Sequence, residues 1–278
     1  MPRSSASAVG YCLRLGWRVH LLEWVPPSPP LRVGGLAEYA DEAILAAVAA
    51  AAHEVGGSHL FVMGHSLGGT LAAIFAALHP DRLAGLVLLS APLAFHPGAS
   101  RFRDALVALL PGWTPDSDIV PGSLLSHVSA LAAPGTFVWS RMTDVLASAG
   151  RPVAAGLRVR IEGWSLDEVP LSGALVRDLF MLLYRENRLC GGTLAIRGRV
   201  AQPAKIRVPV LAVANVTDAV APPPSVTPFL EAIQNAETRL IEYPGEPGVV
   251  LQHLGILVGR DAFERIWPEI VTWVKDHY

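Results

Sequence analysis

The chain has 278 residues, with 24 acidic side chains against 22 basic ones and a formal charge of −2. It is long enough for one large domain with a sizeable core, or for a core domain carrying an insertion, and it lacks the clustered basic excess that nucleic-acid phosphates require. The longest uninterrupted apolar run, Ala43 to Ala52, is bounded by charged residues on both sides and is too short to span a bilayer. After Arg3, the residues Tyr11, Arg14 and Arg18 interrupt any apolar core of signal-peptide length. A soluble, cytoplasmic protein is therefore expected. Cys12 and Cys190 lie far apart and form no C-x-x-C, so neither a disulfide framework nor a zinc site has support. Both read as small buried residues, and no metal or organic cofactor is expected.

In chain order, Ser4 to Leu15 predicts a helix and Trp17 to Trp24 a strand. A proline-rich loop, Val25 to Pro30, leads to an alanine-rich helix over Leu36 to Glu54. Ser58 to Met63 follows Gly56-Gly57 and is short and apolar, as a strand buried on both faces should be. Leu67 to Leu78 repeats apolar residues at helical spacing until His79-Pro80 stops it, and Leu83 to Leu89 predicts another strand. This α-β-α-β-α-β alternation points to the α/β class, a parallel sheet covered by helices on both faces.

From Pro92 to about Val200 the alternation is lost. Ala105 to Leu110, Leu124 to Leu131, Phe137 to Ala147 and Leu175 to Leu189 predict helices. Residues 92–200 are thus expected to form a helical cap inserted into a core made of residues 1–91 and 201–278. Such a cap lies over the carboxyl ends of the strands, where open sheets bind ligands. Phe102, Trp113, Phe137, Trp139, Trp164 and Phe180 are its aromatics, and core packing is the simpler reading for each. The alternation then resumes with a strand over Val208 to Ala214, a helix over Ser225 to Ile233, a strand over Arg239 to Tyr243 and a last helix over Asp261 to Asp276.

Gly64-His65-Ser66-Leu67-Gly68 sits between a predicted strand and a predicted helix. G-x-S-x-G letters alone say little in a chain with 25 glycines, but in this context they describe a nucleophile elbow that lifts Ser66 into a cleft. Gly64 and Gly68 are expected because a Cβ at either position would collide across the strained turn. A serine hydroxyl needs a histidine to take its proton and a carboxylate to hold that histidine in one tautomer. Asp218, on the loop after the strand Val208 to Ala214, and His253, in the loop after Arg239 to Tyr243, occur in the required order. The plain alternative for Asp218 is a turn or cap residue ahead of Pro222-Pro223-Pro224, and for His253 a satisfied loop histidine. His65 should point away from the serine and pack or support the site, and His79 should meet helix-end carbonyls. The Leu67 backbone N–H is the expected oxyanion donor.

Several segments carry a resemblance. His65-Ser66-Leu67-Gly68-Gly69-Thr70, Ala76-Ala77-Leu78-His79-Pro80, Leu22-Glu23-Trp24, Val220-Ala221-Pro222-Pro223, His253-Leu254-Gly255-Ile256 and Trp267-Pro268 together resemble the polyhydroxyalkanoate synthases and their relatives, from Ser4 to Trp273. The resemblance implies an α/β-hydrolase fold with a mostly parallel sheet, a helical cap, and acyl transfer from a hydroxyacyl thioester. Two features depart from it. The synthases carry cysteine where this chain has Ser66, which favours ester or thioester hydrolysis over sustained chain growth. Only one predicted strand precedes the elbow strand, so the first strands of the fold and the loop bearing the second oxyanion donor are expected to be missing. The reading is a serine hydrolase or acyltransferase acting on an acyl ester or acyl-CoA. Its competitors are a polyhydroxyalkanoate synthase using 3-hydroxyacyl-CoA and a catalytically silent partner or scaffold. The mean hydropathy of +0.39 favours the scaffold reading, as an apolar surface for a homodimer or granule.

Overall fold

The computed structural model describes residues 7–27, 34–57, 59–113, 115, 117–134, 169–246 and 252–278. Its centre is a four-stranded, all-parallel sheet in the order β1-β2-β7-β8, formed by Leu60–His65, Leu83–Leu89, Val210–Asn215 and Thr238–Tyr243. The inner strands β2 and β7 read as unbroken apolar runs because helices cover both of their faces. Leu86, Leu88, Val210, Ala212 and Ala214 point to one side. There they meet Ile44 and Val48 of α2 and Leu71, Ile74 and Phe75 of α3. Here α2 joins Ala37–Ala43, wound as a π-helix, to Ile44–Glu54, and α3 is Leu67–Leu78. The alternate residues Val87, Leu89, Leu211 and Val213 face the opposite side, with Cys12 of α1 (Ala8–Arg14). Trp267, Ile270 and Trp273 of the last helix close that layer. Each fully buried side chain of this size, Phe75 for example, contributes about 1.5–3 kcal/mol.

The predicted parallel sheet with helices on both faces is present, but one expected strand is not. Residues 17–24 run without helix or ladder pairing. A strand needs a neighbour, and among the described residues β1 pairs only with β2. A cavity of about 1530 Å³ is lined by Trp17, Val19, Leu22 and Trp24 of this segment and by Leu60 and Val62 of β1. Trp17 and Val19 pack on the second core layer, while Leu21 is 75% exposed.

Between β2 and β7 lie α4 (Arg101–Leu109), β3 (Ile119–Val120), α5 (Gly122–Ala132), β4 (Leu171–Ser172), and α6, which is Gly173–Asp178 continued by Leu179–Arg185. β3 and β4 pair antiparallel. Two further short strands, β5 (Leu194–Ile196) and β6 (Arg199–Ala201), form a hairpin that the sequence reading missed. Its two turn residues, Arg197 and Gly198, both have positive φ, 49° and 75°, as the tight primed turns of hairpins require. The helix expected over Phe137 to Ala147, with Trp139 and Trp164, lies outside the described residues. The helix expected over Ser225 to Ile233 is instead the 3₁₀ turn Pro223–Ser225 followed by α7 (Thr227–Glu231). Pro228 has no N–H with which a helix begun at Ser225 could continue, so it sits in the first turn of α7. The chain ends with α8 (Gly255–Val258) and α9, which is Ala262–Ile266 continued by Trp267–Asp276. Among the described residues, no helix is long and apolar enough to cross a membrane.

Candidate active site

Strand β1 turns directly into α3 through Ser66, whose backbone sits at φ 52°, ψ −126°. A non-glycine residue in such a region stores roughly 1–3 kcal/mol of strain, so the surroundings must hold it. Ser66 N donates to Leu89 O at 3.0 Å, and Ser66 O accepts from Gly69 N at 2.9 Å and Thr70 N at 3.1 Å. Close approach of strand and helix then dictates two glycines. A Cβ on Gly64 would lie 2.5 Å from Gly69 Cα and 2.6 Å from Gly68 O. One on Gly69 would lie 2.5 Å from Ala91 Cβ and 2.8 Å from Gly64 O. The expectation for Gly68 is corrected: a Cβ there meets nothing within 4 Å, because Gly68 borders the cavity beside β1. The second glycine required by space is Gly69.

Asp218 and His253 reach Ser66 from the two loops that follow β7 and β8. Asp218 N donates to Asn215 O at 3.1 Å, tying the aspartate to the end of β7. Its Oδ1 accepts from Val220 N at 2.8 Å, and its Oδ2 lies 2.5 Å from His253 Nδ1. His253 Nε2 lies 2.7 Å from Ser66 Oγ. A carboxylate can only accept, so Nδ1 carries the hydrogen and Nε2 is left to accept from the serine hydroxyl. Both groups are withdrawn from water, Asp218 at 3% exposure and His253 at 8%. All three residues singled out from sequence are thus hydrogen-bonded in one chain. The Leu67 N–H, at the start of α3, has no intrahelical partner and belongs to the positive end of the helix.

The frame around the histidine was not legible beforehand. Asn215 Oδ1 accepts from Thr217 N at 2.8 Å and Thr217 Oγ1 at 2.7 Å, an Asx turn whose only sequence signal is Asn-x-Thr at a strand end. Asn215 Nδ2 donates to Gln252 O at 3.0 Å. The Gln252 amide in turn exchanges hydrogen bonds with Glu246, Nε2 to Glu246 O at 2.8 Å and Glu246 N to Oε1 at 3.0 Å. The buried Glu246 carboxylate accepts from Ala262 N at 2.6 Å and Asp261 N at 3.2 Å, and from the Tyr243 hydroxyl. Those contacts pin the histidine loop between β8 and the last helix.

His65 turns its ring to the His253 loop. The expectation for His79 is corrected: its Nε2 meets the buried Asp41 carboxylate at 2.5 Å, and Arg199 meets the other Asp41 oxygen at 2.6 Å. Of the aromatics expected in a cap, Phe102 and Phe180 are buried, and Trp113 packs edge-on against Phe180 with ring centres 5.8 Å apart. Phe137 lies outside the described residues. Cys12 is buried and Cys190 half-buried, and burial raises both thiol pKa values. Among the described residues, no group of three or more His, Cys, Asp or Glu side chains could hold a metal ion.

Comparison with known proteins gives several relatives at low identity. The poly(3-hydroxyalkanoate) polymerase subunit PhaC of Haloferax mediterranei is 24% identical over 273 residues, covering 97% of this chain and 54% of its own length. That of Haloarcula marismortui is 25% identical over 285 residues, covering 97% and 56%, and that of Allochromatium vinosum is 23% identical, covering 97% and 75%. The chain spans about half the length of the first two relatives. Among solved structures, DcsB in complex with its substrate analogue is similar at TM-score 0.53 and 17% identity, over 90% of this chain and 76% of that one. The monoacylglycerol lipase of Paleococcus ferrophilus reaches TM-score 0.49 at 22% identity, over 85% and 76%. The expected resemblance to the polyhydroxyalkanoate synthases is therefore present at low identity. With residues 7–253 matching its pattern, and a parallel sheet that delivers a serine at a strand-to-helix turn, the chain belongs to the alpha/beta hydrolase fold family.

Proposed function

We propose that this chain is a serine-dependent hydrolase or acyltransferase acting on an acyl ester or thioester through an acyl-serine intermediate. The observation that carries the reading is the continuous relay from Ser66 Oγ through His253 to Asp218, at 2.7 and 2.5 Å. As Ser66 Oγ bonds to the acyl carbon, its proton passes to His253 Nε2 and the carbonyl becomes an oxyanion. Asp218 stabilises the imidazolium that forms, and the Leu67 N–H donates to the oxyanion. Collapse of the tetrahedral species breaks the bond to the leaving alcohol or thiol, which takes the proton from His253. Water or an alcohol, deprotonated by the same histidine, then releases the acyl group and restores Ser66.

In this reading residues 92–200 form a cap over the carboxyl ends of the strands, and no cofactor takes part. The substrate class is a hydroxyacyl ester or acyl-CoA, by analogy with the relatives named poly(3-hydroxyalkanoate) polymerase subunit. Those names also favour a second reading, polymer synthesis from 3-hydroxyacyl-CoA, in which the acceptor is the hydroxyl of a growing polyester. Serine in place of the synthases' cysteine weighs toward hydrolysis or simple transfer. A scaffold role, through a homodimer or granule surface, leaves the relay without a purpose.

Labelling with a fluorophosphonate probe followed by peptide mass analysis tests the nucleophile. Modification at Ser66, abolished in Ser66→Ala, is expected, and an unlabelled Ser66 in folded protein overturns the proposal. Incubation with 3-hydroxyacyl-CoA separates the two enzymatic readings. Free acid supports hydrolysis, and insoluble polyester supports synthesis.

A further inference from the structure

The neighbour of the nucleophile, His65, takes no part in the relay, yet it is tied to it. Its Nε2 lies 2.9 Å from the backbone carbonyl oxygen of His253, and the two imidazole rings are 5.0 Å apart at 50°. A carbonyl oxygen only accepts, so His65 Nε2 carries a hydrogen. Burial, reinforced by the nearby positive charge that His253 can acquire, lowers the His65 pKa to about 4. The titratable groups that act on it are His253 and Asp218. Around neutral pH the ring is therefore uncharged and adds no positive charge beside the imidazolium that His253 must become.

The placement of this bond is informative. Two consecutive carbonyls of the histidine loop are held from two different strands, Gln252 O by Asn215 and His253 O by His65. Asn215 is the last residue of β7, which leads to Asp218, and His65 is the last residue of β1, which leads to Ser66. The loop carrying the base is thus clamped by the strand ends that carry its two partners. Movement of either strand end takes the histidine backbone with it, which keeps the relay in register.

We infer that His65 is a positioning residue of the catalytic centre, a neutral Nε2–H donor whose bond to the His253 carbonyl sets the distance between the base and Ser66. This inference rests on the serine mechanism proposed above. Displacement of a catalytic group by about 1 Å lowers rates by up to about 10²-fold, so loss of the donor should act on turnover rather than on substrate binding.

The test compares His65→Phe, which keeps a ring but has no donor, with His65→Gln, which keeps an N–H donor. Steady-state hydrolysis of a p-nitrophenyl acyl ester and the rate of fluorophosphonate labelling are the readouts, with thermal melting to check folding. Expected are a fall of about 10–100-fold in kcat for His65→Phe with KM within about twofold, slowed labelling, and recovery to within about threefold of wild type in His65→Gln. Unchanged turnover in His65→Phe, or equal losses in both variants, overturns the inference. Should His65→Phe fail to fold, nitrogen-15 NMR of the unmodified protein at neutral pH decides. A protected His65 Nε2–H in a neutral ring supports the clamp, and an Nδ1–H tautomer or a charged ring refutes it. Failure of Ser66→Ala to abolish labelling would instead refute the underlying mechanism, a result distinct from either variant outcome.

Discussion

Gly68 and Gly69 are adjacent in α3, yet the space around them predicts opposite responses to one added methyl group. In Gly69→Ala the Cβ would sit 2.5 Å from Ala91 Cβ and 2.8 Å from Gly64 O. Neither is the free end of a flexible side chain, so α3 must lift from the sheet. Overpacking of this kind costs about 1–3 kcal/mol. In Gly68→Ala the Cβ meets nothing within 4 Å, and alanine is preferred to glycine in a helix by about 0.5–1 kcal/mol. With about 2–4 °C of melting temperature per kcal/mol in a protein of this size, Gly69→Ala should lower Tm by roughly 2–12 °C and Gly68→Ala raise it by roughly 1–4 °C. Calorimetry of the two variants reads both shifts. Labelling of Ser66 by a fluorophosphonate reads the local consequence, slowed in Gly69→Ala and unchanged in Gly68→Ala. If Gly68→Ala destabilises the protein as much as Gly69→Ala, the assignment of Gly69 as the spacing glycine of the turn is wrong.

Other perturbations act on charge. Asp218→Asn keeps the shape but removes the acceptor that fixes the His253 tautomer, so kcat should drop by about 10⁴-fold with little change in KM; ester hydrolysis at saturating substrate measures it, and a loss below tenfold would exclude the assigned role. The folded-state pKa of His65, about 4, lies below its ordinary value near 6.5, so the unfolded chain binds more protons between those limits. Stability should therefore fall by about 3 kcal/mol as pH drops through that window, and urea titrations of His65→Gln should show a flatter profile there. For Asp41, burial opposes ionisation, but His79 and Arg199 outweigh it and lower the carboxyl pKa. The stabilisation is present above the ordinary carboxylate range and disappears as pH falls below it. Asp41→Asn should thus destabilise the neutral protein by about 1–3 kcal/mol, and a gap that persists undiminished in strong acid would contradict the ion-pair account.

Segments whose fate is decided locally were read well from sequence. The helix Leu67 to Leu78 and the strand Leu83 to Leu89 occupy their expected limits, because a proline stops the first and an unbroken apolar run defines the second. Trp17 to Trp24 was misread because a strand is a property of a pair, and no ladder partner for this segment exists among the described residues. Ser66, Asp218 and His253 were legible from their order and from their places after strands. Asn215, Gln252 and the bond made by His65 were not, since their roles arise from contacts across 37 and 188 positions of chain. The partnership of His79 with Asp41 was hidden in the same way, across 38 positions. Which of two neighbouring glycines faces a wall and which a cavity is likewise a fact of packing that the letters do not contain.

The parallel pairing of β2 with β7 also bears on how the protein reaches its folded form. β1, α3 and β2 are consecutive in the chain, so the turn that presents Ser66 can form from local contacts. Pairing of Leu86 with Val210 closes a loop that includes the entire middle of the chain, and such closures are entropically costly and slow. The turn that presents Ser66 thus depends on contacts near in sequence, whereas bringing Asp218 and His253 to it requires the long closure. The hydrogen-bonded chain from Ser66 through His253 to Asp218 is therefore complete only when contacts of high sequence separation have formed.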